Sequence, residues 1–209
     1  MQKTYKISIP LLSLTYFIVF VCWLLYRYFT RFPDLVDELL MKPLIWISPV
    51  IYISFLKKFR FKELGFKILS LRFFLLSAVI GIGLTALQFL PLYFQFHKVP
   101  SIPPDFIILA LATIGTAVSE EILFRGFIFK QLQKQFSTII STLITSILFS
   151  FMHVPILIFI QNTAGINLIS SLYIIFVSSL VFCLLYWYTK NLWSPIIAHF
   201  ILDTLLLIF

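Results

Sequence analysis

The sequence predicts an all-α membrane protein, a polytopic transmembrane helix bundle of about seven spans within a range of six to eight. Hydrophobic residues make up 61% of the 209 positions and charged residues only 11%, and the mean hydropathy is +1.04. Soluble domains carry about 25% charged residues. The apolar runs approach 20 residues, the length of a helix that crosses a bilayer. We therefore expect residues 1–209 to form one integral membrane domain in contact with lipid.

The apolar runs place seven helices in order along the chain. We expect spans at residues 8–28, 40–56, 70–94, 105–129, 137–154, 166–188 and 192–209. The first run is longer than the apolar part of a signal peptide and lacks a small-residue cleavage site, so we expect it to remain as a span. The second is the weakest, because Pro43 and Pro49 interrupt it. The fourth follows Pro103 and Pro104, which favour a helix start.

Basic residues are concentrated between the predicted spans and indicate an orientation. Residues 57–72 carry six basic residues against a single acid, Glu63; the basic residues are Lys57, Lys58, Arg60, Lys62, Lys67 and Arg72. Cytoplasmic loops carry an excess of Lys and Arg, so we expect this loop and the N-terminus in the cytoplasm. The net charge of +8 then reflects topology and anionic lipid rather than a nucleic-acid partner. We expect the plasma membrane of a bacterium. The other inside positions are Lys3, Lys6, Lys130, Lys134 and Lys190, and an outside loop holds Asp34, Asp37 and Glu38.

Three polar groupings interrupt the apolar runs. They are Glu120-Glu121-x-x-x-Arg125, Phe149-x-x-x-His153 and His199-x-x-x-Asp203. Each pairs residues four apart, a spacing that puts two side chains on one face of a helix. A charge in the bilayer core is costly unless it is paired or hydrated, so such residues mark a functional site. The groupings therefore point to catalytic chemistry inside the membrane.

The first two groupings suggest a way to activate water. We expect Glu121 and Arg125 to form an intrahelical ion pair, while Glu120 is rotated by about a quarter turn and has no local partner. Glu120 is then the freer carboxylate, able to take a proton from water. His153 is a suitable residue to share or relay that proton. Phe149 is expected to pack.

The third grouping leaves alternatives open. His199 and Asp203 can hydrogen-bond a developing oxyanion, or Asp203 can fix the tautomer of His199. Alternatively, Glu120, His153, His199 and Asp203 supply nitrogen and oxygen ligands for a divalent metal such as Zn²⁺. We prefer the scheme without a cofactor.

The order and content of these groupings resemble the CPBP family of intramembrane proteases, also described as CAAX-protease and bacteriocin-processing (Abi-domain) proteins, which includes the type II CAAX prenyl endopeptidases. The resemblance covers residues 106–207, the expected catalytic core. The family pattern is a pair of glutamates with a downstream arginine, then F-x-x-x-H, then H-x-x-x-N or D. The resemblance implies an intramembrane catalytic cavity in which Glu120 and His153 activate the attacking water.

It also implies that His199 and Asp203 stabilise the tetrahedral intermediate and that Arg125 holds the glutamate pair in place. Prenyl endopeptidases of eukaryotes typically have asparagine where this chain has Asp203. An ionised aspartate would repel an oxyanion, so Asp203 must be protonated, orient His199 or bind a metal.

The preferred function is an intramembrane endopeptidase, dependent on glutamate or on metal, that cleaves a peptide or a membrane-associated protein. One alternative is a non-catalytic membrane scaffold or bacteriocin self-immunity protein of the same fold. Another is a transporter, because buried acids and histidines also form proton relays.

Depth along the spans poses a difficulty for His153. At 1.5 Å per residue, Glu120 lies roughly 15 Å from the cytoplasmic end of its predicted span and His153 roughly 24 Å from the end of its own. The two meet only if the fifth span begins later, or if residues 126–136 form a re-entrant or interfacial helix.

Overall fold

The computed structural model describes residues 6–57, 61–97 and 99–208. Lys3, Lys58 and Arg60, which contribute to the predicted orientation, lie outside the described residues. Within these ranges the chain forms seven long helices and no strand, so the predicted all-α fold is confirmed. The helices are α1 (Ile9–Phe29), α2 (Asp34–Leu56), α3 (Leu71–Phe96), α4 (Phe106–Leu132), α5 (Thr138–Phe159), α6 (Gly165–Thr189) and α7 (Trp193–Leu206).

Six of these helices, α1 to α6, are long and apolar enough to cross a membrane. The seventh predicted span, residues 192–209, is the shorter apolar helix α7, which has 14 residues. Six spans in the described part of the chain lie inside the predicted range of six to eight.

Local sequence signals explain where several helices begin and end. The side-chain oxygens of Ser70 and Ser137 each accept a hydrogen bond, at 3.4 Å, from the backbone N–H three residues on, and so cap α3 and α5. At the other end, α3 stops at His97 and α6 at Lys190, both in the left-handed conformation that closes a helix. The α6–α7 connection is accordingly short.

The start of α2 differs from the prediction. Asp34, Asp37 and Glu38 were assigned to an external loop, but they lie in the first turns of α2, which also runs through both of its prolines. Asp37 is buried, and the Glu38 side chain is only 14% exposed. These acids tolerate burial because Arg27 of α1 pairs with both of them and Lys42 pairs with Glu38. Neutralised in this way, they extend the helix instead of ending it.

The central element of the bundle is α4. Half of its apolar stretch is buried inside the protein, compared with 22% of the apolar stretch in each of α1, α2 and α3. It packs against α2, α5, α6 and α7. Its middle, Ile122–Phe129, is a π-helix in which every residue is buried. Such widened segments are rare and often lie at functional sites. This one directly follows Glu120 and Glu121.

The length of α4 also resolves the difficulty over depth. Residues 126–132 continue α4 and a short turn leads to Thr138, so residues 126–136 do not form a separate helix. Glu120 then lies about 18 Å from the end of α4, and His153 about 22 Å from the start of α5. The two residues occupy similar depths.

Candidate active site

The four candidate side chains meet at one wall of a cavity of about 430 Å³. Glu120 comes from α4, His153 from α5, and His199 and Asp203 from α7. Glu120 Oε2 lies 3.6 Å from His153 Nε2 and 3.9 Å from His199 Nε2. His199 Nε2 is also 3.4 Å from Asp203 Oδ2. The buried Glu120 carboxylate is therefore the point on which both imidazoles converge.

A break in α5 orients His153. Pro155, two residues further on, lacks a backbone N–H and interrupts the helix. The His153 N–H bonds to the Ser150 carbonyl, so the Phe149 carbonyl is available to the histidine ring and lies 2.8 Å from Nδ1. A carbonyl can only accept, so the neutral ring carries its proton on Nδ1. The Nε2 lone pair then faces Glu120.

A carboxylate orients His199 in the same way. His199 Nδ1 lies 2.9 Å from Glu121 Oε1, and the ionised acid can only accept a hydrogen bond. Asp203 instead faces Nε2. The acceptor at Nδ1 of His199 is thus Glu121 and not Asp203. Both rings expose Nε2 to the cavity.

Glu121 and Arg125 form the ion pair expected from their spacing. Arg125 Nη1 lies 2.8 Å from Glu121 Oε1, and both side chains are completely buried. Arg125 also donates to the Ser179 hydroxyl at 2.7 Å and to the Ser179 carbonyl at 3.2 Å. Arg125 thus fixes Glu121 against α6 and, through Glu121, positions His199.

Aromatic rings complete the walls around these charges. The ring centroids of Phe149 and His153 are 4.7 Å apart. The Arg125 guanidinium lies 4.5 Å from the centroid of the Phe149 ring. Phe182 stacks on His199 with centroids 4.9 Å apart. These rings keep the imidazoles in fixed orientations and strengthen the local electrostatics by excluding water. Phe149 packs as expected.

The sequence reasoning missed Lys42, and with it the environment of Glu120. Lys42 lies on α2, and its ammonium is 2.9 Å from Glu120 Oε1. The same ammonium is 2.5 Å from Glu38 Oε2. Glu120 is thus not the freer carboxylate of the pair, because its partner comes from another helix. The one signal in the sequence was a cation at the edge of a predicted span.

The geometry does not support the predicted ligand set for Zn²⁺. No group of three or more His, Cys, Asp or Glu side chains among the described residues is arranged to hold a metal ion. In addition, the Lys42 ammonium lies against Glu120, where it would repel a divalent cation bound to the same carboxylate. The four residues therefore fit a metal poorly.

The arrangement fits the binding and polarisation of a water molecule. Glu120 Oε2 is buried and has no hydrogen-bond partner among the described residues. It shares the cavity wall with Nε2 of His153, whose ring holds its proton on Nδ1, and with Nε2 of His199, which lies between Glu120 and Asp203. A carboxylate oxygen beside an imidazole acceptor can orient a water molecule and take its proton. The fold and site therefore define a membrane helix bundle with a buried cluster of acids and histidines beside a cavity.

Comparison with known families agrees with this description. Residues 102–205, about half of the chain, match the family described as Type II CAAX prenyl endopeptidase Rce1-like. The chain belongs to this family of intramembrane proteases, and its six apolar helices make it an integral membrane protein. Comparisons with curated proteins and with solved structures found no match.

Proposed function

We propose that this protein is an intramembrane endopeptidase that hydrolyses a bond in a peptide or a membrane-associated protein, with water activated by Glu120 and His153 and without a metal. The observation that carries the proposal is the buried Glu120 Oε2, unpartnered among the described residues and facing two imidazole nitrogens. Membership of a protease family supports the reaction class.

The first step is addition of water to the scissile carbonyl. Glu120 takes one proton from the water as the oxygen bonds to the carbonyl carbon and the C=O electron pair moves onto its oxygen. His153 lies 3.6 Å from Glu120 and shares the transferred proton. The same proton then passes to the leaving amine as the C–N bond breaks, so base and acid are one unit.

The oxyanion is stabilised by His199 in its protonated form. Glu121 holds the Nδ1 proton, so only the imidazolium has a hydrogen on Nε2 to donate to the oxyanion. Carboxylate oxygens of Glu121 and Asp203 lie against the two ring nitrogens and favour that cation. Asp203 then acts through His199 rather than on the oxyanion itself.

The position of Lys42 supports a mechanism without a metal, because its ammonium lies against the carboxylate that a divalent cation would have to bind. A metal would act as Lewis acid and lower the proton affinity of bound water. Here the cation beside the general base is the Lys42 ammonium, 2.9 Å from Glu120. Activity that survives chelation is the expected result.

The cavity indicates the kind of substrate. Away from the polar wall it is lined by aliphatic side chains of α5, α6 and α7, including Ile156, Leu157, Ile174, Ile175 and Leu206. Such a wall accepts an apolar side chain or a lipid modification beside the scissile bond. The family description makes C-terminal CAAX-type peptides the first substrates to test, in prenylated and unprenylated pairs.

The test uses purified protein in nanodiscs and these peptide pairs. Glu120→Gln and His153→Ala should each abolish cleavage, because loss of a general base costs about 10²- to 10⁴-fold. Asp105→Asn, which changes an exposed carboxylate immediately before the same helix, is the matched control and should retain activity. Membrane peptides from cells producing wild type or Glu120→Gln are compared in parallel to find the natural substrate.

Full activity in Glu120→Gln would contradict the catalytic assignment and favour a scaffold or self-immunity role. Activity that chelation abolishes and Zn²⁺ restores, with stoichiometric metal in the purified protein, would contradict the metal-free mechanism.

A further inference from the structure

The cation beside the proposed general base comes from outside the part of the chain that matches the family. Lys42 lies on α2, whereas the match covers residues 102–205. Its side chain is only 5% exposed and lines the same cavity as Glu120 and the two histidines. A buried lysine needs anionic partners, and this one has a carboxylate on either side.

On the side away from Glu120, Lys42 is fixed by a series of ion pairs. Its ammonium contacts Glu38 at 2.5 Å, and Arg27 Nη2 lies 3.0 Å from the other oxygen of Glu38. Arg27 also pairs with Asp37, which completes the sequence of opposite charges. Thr116 of α4 donates to Glu38 at 2.8 Å. Arg27 and Thr116 thus fix the carboxylate that in turn fixes Lys42.

Aromatic rings restrict the ammonium further. It lies 5.2 Å from the centroid of Trp46 and 5.6 Å from that of Trp23, within the range of cation–π attraction. Both tryptophans are almost completely buried. The ammonium therefore has a defined position rather than the freedom of an exposed lysine.

The contact divides the two oxygens of Glu120 between two tasks. Lys42 binds Oε1, while Oε2 faces Nε2 of His153 and His199. Rotation of the carboxylate about its terminal bond would exchange these atoms, and the ammonium on one side disfavours any intermediate angle. One oxygen is anchored so that the other can act.

We propose that Lys42 is a positioning residue for the reaction: it anchors one oxygen of Glu120 so that the other is held, ionised, against the two histidines and the water. The proposal rests on the proposed proteolytic function. It makes the N-terminal helices part of the active centre. An ammonium that acts through Glu120 contributes to turnover, whereas substrate binding depends on the aliphatic wall of the cavity.

The experiment compares steady-state kinetics of peptide cleavage in wild type, Lys42→Met and Lys42→Arg. Lys67→Met replaces an exposed lysine and serves as control. Lys42→Met should lower kcat by about 100-fold or more, within the range for a misaligned or unready general base, and leave KM within about twofold. Lys42→Arg retains a cation and should recover part of kcat.

A second variant keeps the test decisive if Lys42→Met does not fold. Lys42→Met combined with Glu38→Gln removes one charge of each sign, so the net charge of the buried cluster is unchanged while Glu120 loses its cation. This double variant should be monodisperse and as slow as the single variant, whereas Glu38→Gln alone should keep more activity.

The outcomes separate the two proposals. Cleavage by wild type that depends on Glu120, with a folded Lys42→Met or double variant whose kcat is within threefold of wild type, overturns the role of Lys42 alone. Loss that appears only as a raised KM also overturns it. Absence of any cleavage by wild type, with a substrate set that a family homologue cleaves, overturns both.

Discussion

Replacement of Arg125 by alanine should destabilise the whole bundle, not only the site. The side chain is completely buried, pairs with Glu121 at 2.8 Å and makes two hydrogen bonds to Ser179. Arg125→Ala removes all of these and leaves the Glu121 carboxylate buried with His199 as its remaining partner. A buried ion therefore loses its cation.

The cost follows from the burial of both partners. Removing one member of a buried ion pair costs about 3 to 5 kcal/mol, because the other charge stays in a low-dielectric environment. For a chain of this size, about 1 kcal/mol shifts the midpoint of thermal unfolding by roughly 2 to 4 °C. We expect Tm to fall by roughly 6 to 20 °C in detergent, with lower abundance in the membrane.

The assay is thermal unfolding of the purified variants, followed by size-exclusion chromatography after heating. Arg31→Ala is the matched control, since Arg31 is exposed and makes one hydrogen bond to the Phe159 carbonyl. That variant should unfold within about 2 °C of wild type, because surface changes usually cost less than about 0.5 kcal/mol.

A double variant distinguishes loss of the ion pair from loss of volume. Arg125→Met with Glu121→Met replaces both charges by apolar groups of similar length, which is often neutral for stability. It should recover most of the Tm lost in either single variant and yet remain inactive, because His199 Nδ1 loses its acceptor. A normal Tm for Arg125→Ala, or strictly additive losses in the double variant, would refute the reasoning.

Two further predictions concern the packing of α2 and the orientation in the membrane. A methyl group on Gly115 of α4 would collide with the Glu38 carbonyl of α2, whereas a methyl group on Gly83 would meet open space. Gly115→Ala should therefore cost about 1 to 3 kcal/mol of stability and lower activity by separating the helices, whereas Gly83→Ala should do neither. Equal Tm and turnover in the two variants would contradict this. If the basic loop of residues 57–72 is cytoplasmic, cysteines placed near Lys62 should resist impermeant reagents in intact cells and cysteines near Ser101 should react, and the opposite pattern would invert the orientation.

The sequence was sufficient for the helical fold and for the residues on which the cavity converges, because both depend on local rules. Apolar runs fix the spans, and a spacing of four puts Glu121 beside Arg125. The break in α5 is local as well: Pro155 lies two residues after His153 and explains the ring orientation.

The environment of Glu120 could not be derived in the same way. Lys42 reaches it through the packing of α2 on α4, and no spacing rule connects residues so far apart in the chain. The predicted start of α2 was also wrong. Acids such as Asp37 indicate a loop when taken alone, and only the structure shows their buried partner Arg27. Likewise, Glu121 rather than Asp203 fixes the tautomer of His199, which requires the relative position of α4 and α7.

The two adjacent glutamates have different tasks because a helix separates neighbouring side chains by about 100°. Two consecutive residues therefore place their side chains on two different sides of the central helix at nearly the same depth. Glu120 faces α2 and meets Lys42, whereas Glu121 meets Arg125 of the same helix and His199 of α7. Each acid thus has its own buried cation, and neither can replace the other. The π-helix begins immediately after them, at Ile122, in the segment of α4 whose residues are all buried.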